Sequence, residues 1–567
     1  MGFPSVTQLS LTGELTAEET IVGQLKNLTR RGLLAGAAGL GSVALGGALS
    51  LPEALEAAGR PAKGKKGRPP EDRRLAEAFE VRRKAAEHAR SLGAGAQSTN
   101  RDEEGLPGWV ACYSKGLPHD SRGVVDPKAY KVYLRALGSG EPEDFERIPL
   151  GGFVKLANPQ AAWAFDLMGP DCSQVHCPAA PGFSGAEQAA ELIELYWQAL
   201  LRDVPFDEYG GHPLVARAAA ELSALGDFHG PRQDGNVTPG TLFRGAAAGD
   251  LVGPYVSQFL WKPIPFTPIR VEAKIRTAVP GVDYMTGWDS WLAIQNGALS
   301  EVNRFETAPL FIRSGRDLGE YVHRDFTYQA FLGACLIALK SGTLPDGGNP
   351  YKHSRTQGAF ATFGQPYLLY LLAVVTQVAL KACWYQKWLV HRRIRPEEFA
   401  GRVEAHLGRS AEMPVHASLF SSAAVDETRR RWGTALLAQP YPEGCPTHPS
   451  YPSGHAAIAG ACATVLKACL DESHVLPEPV VASADGLSLK PWKGADLTVG
   501  NELDKLASNI ALGRDFGGIH WRSDGIEGLK LGEEVAIRLL DELSFTGNEL
   551  FSGFSLRRFD GKRAQVG

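Results

Sequence analysis

Beyond residue 70, apolar positions recur at helical spacing through most of the chain and seldom alternate strictly. Helices are predicted over Glu71–Leu92, Ala186–Leu201, Pro213–Leu225, Tyr321–Ser341, Pro366–Val390, His455–Asp471 and Asp524–Leu543. A short strand pair near residues 268–278 is the exception. Residues 93–185 read as loop-rich, with segments such as "SKGLPHDSRG" and "GPDCSQVHCPAAPGFSG". The fold class is therefore mainly α. The run "YLLYLLAVVTQVAL" (Tyr367–Leu380) is too short for a bilayer and holds Gln377, so it is predicted to be a core helix.

Composition narrows the picture. The chain has 567 residues, 44% hydrophobic and 22% charged, enough for a large core, and no compositional break divides it after residue 70. A net charge of −4 gives no overall basic bias toward nucleic acid. Eight cysteines at scattered spacings form no disulfide scaffold and no zinc pattern, although Cys172 and Cys177 flank a loop short enough to pair. At the N-terminus, Arg30–Arg31 precede a Gly/Ala-rich apolar run ending near Leu51. Residues 1–58 resemble a twin-arginine export signal, which implies a periplasmic or extracellular location. Residues 59–70 form a basic flexible linker, leaving 71–567 as the body.

Three segments carry candidate chemistry, each at a helix boundary. In "CWYQKWLVHRRIRPEE", Trp384, Lys387, Trp388 and His391 fall on one helical face, and Pro396 is expected to end the helix with Arg395 at its exit. Arg392 and Arg393 read as a charge cap on the helix C-terminus. In "CPTHPSYPSGHAA", three prolines lead into Ser453, Gly454 and His455 at a helix start, whose free N–H groups favour an anion. In "GRDFGGIHWRSD", Arg514 and His520 are six apart around Gly517–Gly518. Asp524, four residues after His520, either orients its ring or serves as a helix N-terminal acid.

Taken together, these segments resemble the superfamily joining vanadium-dependent haloperoxidases and type-2 phosphatidic acid phosphatases, and most closely its algal-type bromoperoxidases. Seven residues separate Lys387 from Arg395, the algal-type spacing; fungal chloroperoxidases and the phosphatases typically have six. "SKGLPHD" near Ser114 and "GDLVGPYVSQFLW" near Gly249 also look algal-type. The resemblance covers roughly residue 70 to the C-terminus.

The resemblance implies two four-helix bundles packed in one large domain, a dimer or larger homo-oligomer, vanadate as cofactor and no haem. His520 is then the protein ligand of vanadium. Lys387, Arg395, Arg514, Ser453 and the Gly454 N–H hold the oxyanion, and His455 moves protons while Lys387 polarises bound peroxide. Peroxide, bromide or iodide, and an organic acceptor are the implied partners. His448 and Trp384 are expected to wall the halide pocket, with His448 partly hydrated. Asp325, in "YVHRDFTYQAF", is expected to pair with an active-site arginine. Two rivals share the pocket: a phosphatase with His520 as nucleophile, and a non-catalytic oxyanion-binding protein.

Overall fold

The longest apolar helix among the described residues shows how the core is organised. In the computed structural model, which describes residues 70–567, it runs Gln365–Tyr385 and continues through a π-helical turn, Gln386–His391. In chain order the helices longer than one turn are α1 (Pro70–Ser91), α2 (Pro127–Ser139), α3 (Ala186–Leu201), α4 (Pro213–Ala224), α5 (Trp288–Gln295), α6 (Gly315–Arg324) and α7 (Gln329–Lys340). They continue with α8 (Gln365–Tyr385), α9 (Pro396–Arg409), α10 (Ala423–Trp432), α11 (Gly454–Cys469), α12 (Val499–Phe516) and α13 (Arg522–Ser544). Among the described residues the only sheets are three antiparallel hairpins: Ile264–Phe266 with Ile269–Val271, Val480–Ala482 with Leu489–Pro491, and Phe554–Arg557 with Arg563–Val566. The expected export signal and nearly all of the linker lie outside the described residues, and Glu77–Gly567 forms one compact unit.

Two helices act as bundle centres. Around α11 pack α8, α12 and α13; around α3 gather α4, α9 and α10, and α12 touches both centres. The α11–α13 contact is close because small residues line it. A Cβ on Gly532 would lie 1.9 Å from the Ala457 carbonyl oxygen, and one on Gly460 2.1 Å from that of Leu529. Small residues at both faces let the backbones approach, which fixes the start of α11 against the start of α13. Gln365–His391 is long and apolar enough to cross a membrane by length and composition, but half of its most apolar window is buried and it packs on α11 and α13.

Three expectations about elements need correction. The single helix over Tyr321–Ser341 is two helices, broken at Asp325, whose extended backbone (φ −64°, ψ 148°) ends α6. Pro396 does not terminate a helix; it opens α9 at its first position, where its missing N–H costs no hydrogen bond, and Arg395 is the N-cap residue. The strand pair lies slightly earlier than expected, at 264–271. All eight cysteines are free thiols, Cys172 and Cys177 included.

Candidate oxyanion-binding site

The three segments converge. The 446–452 loop lies across the end of α8, with the Cys383 thiol 3.4 Å from the Pro452 carbonyl oxygen. Lys387 sits in the π turn, wholly buried, and its Nζ donates to the carbonyls of Pro449 (2.9 Å) and Ser450 (2.6 Å). Burial, with Arg395 and Arg514 adding to it, pushes its ammonium down to about 7. The regular four-residue face does not survive the π turn. Trp384, Lys387 and His391 reach the 448–451 loop, whereas Trp388 turns away to Tyr113 and Tyr133.

Arg395 is also fully buried. It donates to the carbonyl oxygens of His448 and Ile519 (both 2.9 Å) and to His448 Nδ1 (2.8 Å), and lies 3.2 Å from His520 Nε2. Arg514, near the end of α12, donates to the Val322 carbonyl (2.7 Å) in the last turn of α6, and its Nε has no hydrogen-bond partner. None of Lys387, Arg395 and Arg514 has a carboxylate within ion-pair distance among the described residues. Three buried cations without a counter-ion, one with an orphaned N–H, fit an oxyanion such as vanadate: planar guanidinium forks match its oxygens.

The histidines take distinct environments. His520 Nδ1 lies 2.8 Å from Asp524 Oδ2, so Nδ1–H donates to the carboxylate and Nε2 keeps its lone pair, with Arg395 NH1 3.2 Å from Nε2 and 3.5 Å from Nδ1. Burial, then Arg395 and Lys387, hold this ring well below the usual histidine range and therefore neutral, as a metal ligand must be. Asp524 does both things the sequence allowed. It orients His520, and it accepts from the Trp521 N–H (3.2 Å) at the start of α13. His455 lies in the first turn of α11, behind the N-cap Ser453, whose hydroxyl accepts from the Ala456 N–H (3.4 Å). About a third of the His455 side chain (32%) is exposed, and Nε2 is 3.1 Å from Asp325 Oδ1. Burial and Arg514 lower its proton affinity, while Asp325 opposes them.

Asp325 therefore does not pair with an arginine. The end of α6 splits the expected contact: its Val322 carbonyl takes Arg514 and its terminal Asp325 takes His455. Beside that pair opens a cavity of about 740 Å³ whose lining includes Asp325, Phe305, Arg276 and Arg324. His448 and Trp384 do meet, with ring centroids 4.9 Å apart. His448 is buried rather than hydrated, however. Its burial and the adjacent Arg395 hold it well below the usual range. Gly454 faces Trp384: a Cβ there would reach Trp384 Cζ3 at 3.4 Å.

The chain matches a model of the VCPO second helical-bundle domain over residues 367–546, which takes in all but the first two residues of α8 and the whole of α11, α12 and α13. It is 33% identical over 585 residues to the vanadium-dependent bromoperoxidase of Corallina officinalis, covering 86% of this chain and 98% of that protein. To the enzyme of the same name from Ascophyllum nodosum it is 36% identical over 479 residues, covering 80% and 86%. The chain belongs to the vanadium-dependent bromoperoxidase family. The second bromoperoxidase of Ascophyllum nodosum, solved as a homohexamer, superposes with a TM-score of 0.83 at 31% identity, covering 91% of this chain and 96% of that one.

Within this bromoperoxidase fold, two contributors escaped the sequence reading. Arg392 does cap the turn, donating to the Trp388 carbonyl (3.1 Å), but it also pairs with Glu103. Arg393 is no dipole cap. It is buried and donates to Asp524 Oδ1 (2.8 Å), Ser523 Oγ (2.7 Å), Gln188 Oε1 (2.7 Å) and Glu191 Oε2 (2.9 Å). Ser450, whose hydroxyl donates to Asp524 Oδ2, is the other. A signal was present in α3: Glu191 and Glu194 interrupt an apolar run, and carboxylates buried there require cations.

Proposed function

We propose that the protein is a vanadate-dependent haloperoxidase that uses hydrogen peroxide to oxidise bromide and iodide to hypohalous acid, which halogenates organic acceptors. The observation that carries this is the trio Lys387, Arg395 and Arg514, buried without carboxylates beside a neutral His520 whose Nδ1 is already committed to Asp524. His520 Nε2 would hold vanadium; the three cations, Ser453 and the Gly454 N–H would hold the oxygens. Vanadate in this pocket supplies a Lewis-acidic centre that activates peroxide with no change of oxidation state. His455 is the proton carrier. Asp325 occupies Nε2, so Nδ1 is left to accept a proton from incoming peroxide, and the part-exposed ring passes it to solvent. Lys387, its ammonium tuned to about 7, polarises oxygen bound beside it.

The test compares peroxide-dependent bromide oxidation, with and without orthovanadate after chelation at low pH, against phosphate-ester hydrolysis by the same protein. Revival by vanadate, blocked by phosphate, is expected. Full bromide oxidation in a vanadium-free preparation, or hydrolysis as the dominant activity, removes the proposal.

Two further readings accompany it. A homo-oligomer is supported by the homohexameric relative and by the exposed apolar side chains of Phe153, Phe165 and Leu167; a monomer in sedimentation analysis would refute it. Export through the twin-arginine route rests on Arg30–Arg31; secretion undiminished by their replacement with Lys–Lys would refute that.

A further inference from the structure

We infer that Arg393 is a positioning residue that sets which ring nitrogen of His520 faces the pocket, by fixing Asp524 from behind. The inference rests on reading His520 as the group that holds vanadate.

The two oxygens of Asp524 have separate tasks. Oδ2 takes His520 Nδ1 at 2.8 Å, the Trp521 N–H at 3.2 Å and the Ser450 hydroxyl. Oδ1 takes Arg393 NH1 at 2.8 Å. Asp524 is fully buried, so without Arg393 the Oδ1 oxygen is left with neither donor nor water. The carboxylate then gains by rotating Oδ1 toward another donor, which weakens its hold on the Nδ1 hydrogen. A ring that moves its hydrogen to Nε2 presents an N–H where vanadium needs a lone pair.

Arg393 cannot easily drift. Its other fork binds Gln188 and Glu191 on α3, and its guanidinium carbon lies 5.1 Å from the Trp521 ring centroid and 5.7 Å from that of Tyr451. Its backbone does a second job: the Arg393 carbonyl accepts the Ser450 N–H (3.0 Å), and the Ser450 carbonyl accepts Lys387 Nζ (2.6 Å). One residue thus ties the 386–395, 448–455 and 520–524 segments together. Through its side chain it positions His520, and through its backbone Lys387. A lysine at this place cannot grip Asp524 and α3 at once, because it lacks the fork.

The test uses the full-length protein, labelled with ¹⁵N at histidine and freed of vanadate, as wild type, Arg393→Met and Arg393→Lys. Long-range ¹H–¹⁵N spectra report the His520 tautomer, with His520→Ala giving the assignment. Vanadate affinity is measured in parallel by equilibrium dialysis. Wild type is expected to be wholly Nδ1–H. Arg393→Met is expected to populate Nε2–H and to bind vanadate about 10- to 100-fold more weakly, with Arg393→Lys between the two. A merely structural role would lower stability without moving the tautomer. If Arg393→Met does not fold, Arg393→Lys decides: a folded protein with the wild-type tautomer, and affinity within about twofold, overturns the inference. Should wild type bind no vanadate, the reading of the pocket fails while the tautomer ratio still judges Arg393.

Discussion

Two sets of buried cations lie on either side of Asp524, and the fold treats them oppositely. In front, Lys387, Arg395 and Arg514 meet carbonyls and histidines but no carboxylate. Behind, Arg393 pairs with Asp524 and Glu191, and Arg522 with Glu194. Their proton affinities diverge accordingly. Burial lowers Lys387 and Arg395, and neighbouring cations deepen the drop. Burial also acts on Arg393, but Asp524 and Glu191 outweigh it and raise the guanidinium. The rear set is neutralised when the chain folds. The front set is left for an anion from outside. Without an anion the pocket therefore carries uncompensated positive charge, and under the proposed function vanadate is the counter-ion that it lacks.

The sharpest way to break this contrast is Arg522→Met. It leaves Glu194 buried and unpaired, so denaturant unfolding should show a loss of about 3–5 kcal/mol. A loss under about 1 kcal/mol, the range of surface pairs, would erase the distinction between the sets. Next in size, His520→Ala should weaken vanadate binding by more than about 100-fold in dialysis, beyond the cost of losing an outer partner. His455→Ala should keep vanadate but slow turnover by about 10²- to 10⁴-fold. Equal loss of vanadate in both variants would contradict these roles.

A pH series sharpens the comparison further. Lys387 is lowered to about 7, so between there and the ordinary lysine range the unfolded chain binds a proton that the folded chain does not. Vanadate-free wild type should then gain stability as pH rises, by about 1.4 kcal/mol per unit from this group. Below about pH 7 both states bind the proton and the slope from Lys387 vanishes. Lys387→Met should remove that slope and be the more stable protein at pH 7. Identical slopes between pH 8 and 9, where about 1.4 kcal/mol is expected, would show that Lys387 is not the strained group. The smallest effect concerns His448, which donates no charge but accepts from Arg395 at 2.8 Å. Bromide should be oxidised in preference to chloride. His448→Phe frees that arginine N–H and should raise the chloride-to-bromide rate ratio by about tenfold at most, equivalent to about 1.4 kcal/mol. An unchanged ratio at fixed peroxide and pH would exclude His448 from halide choice.

The sequence revealed these regions unevenly. Helices α3, α8 and α11 were legible because their buried faces are apolar. α12 was missed although it carries Arg514. Its interior holds Glu502, Asp504 and Lys505, all buried, and the pairs Lys505–Glu502 and Lys467–Asp504 hide the apolar period. α9 was missed because Pro396 was read as an ending rather than a beginning. The front cations and the histidines stood out as motif residues. The rear network did not, since Arg393 meets Glu191 and Asp524 only through tertiary packing, 202 and 131 residues away. Asp325 was singled out but given the wrong partner, because nothing local announces that α6 stops there.

The π turn at Gln386–His391 has a consequence for alignment. Such a turn closes i→i+5 bonds and so takes up one residue more than an α turn over nearly the same rise. Lys387 lies in this turn and Arg395 four residues beyond its end, with seven residues between the two cations. An insertion of one residue in a helix ordinarily swings everything beyond it through about 100°. Looped out as a π turn, the same insertion is absorbed where it occurs, and the second cation keeps its station. In this chain the spacing between the two cations is thus a matter of turn type as well as of residue count, and Arg395 reaches the pocket across a bulge rather than along a regular helix.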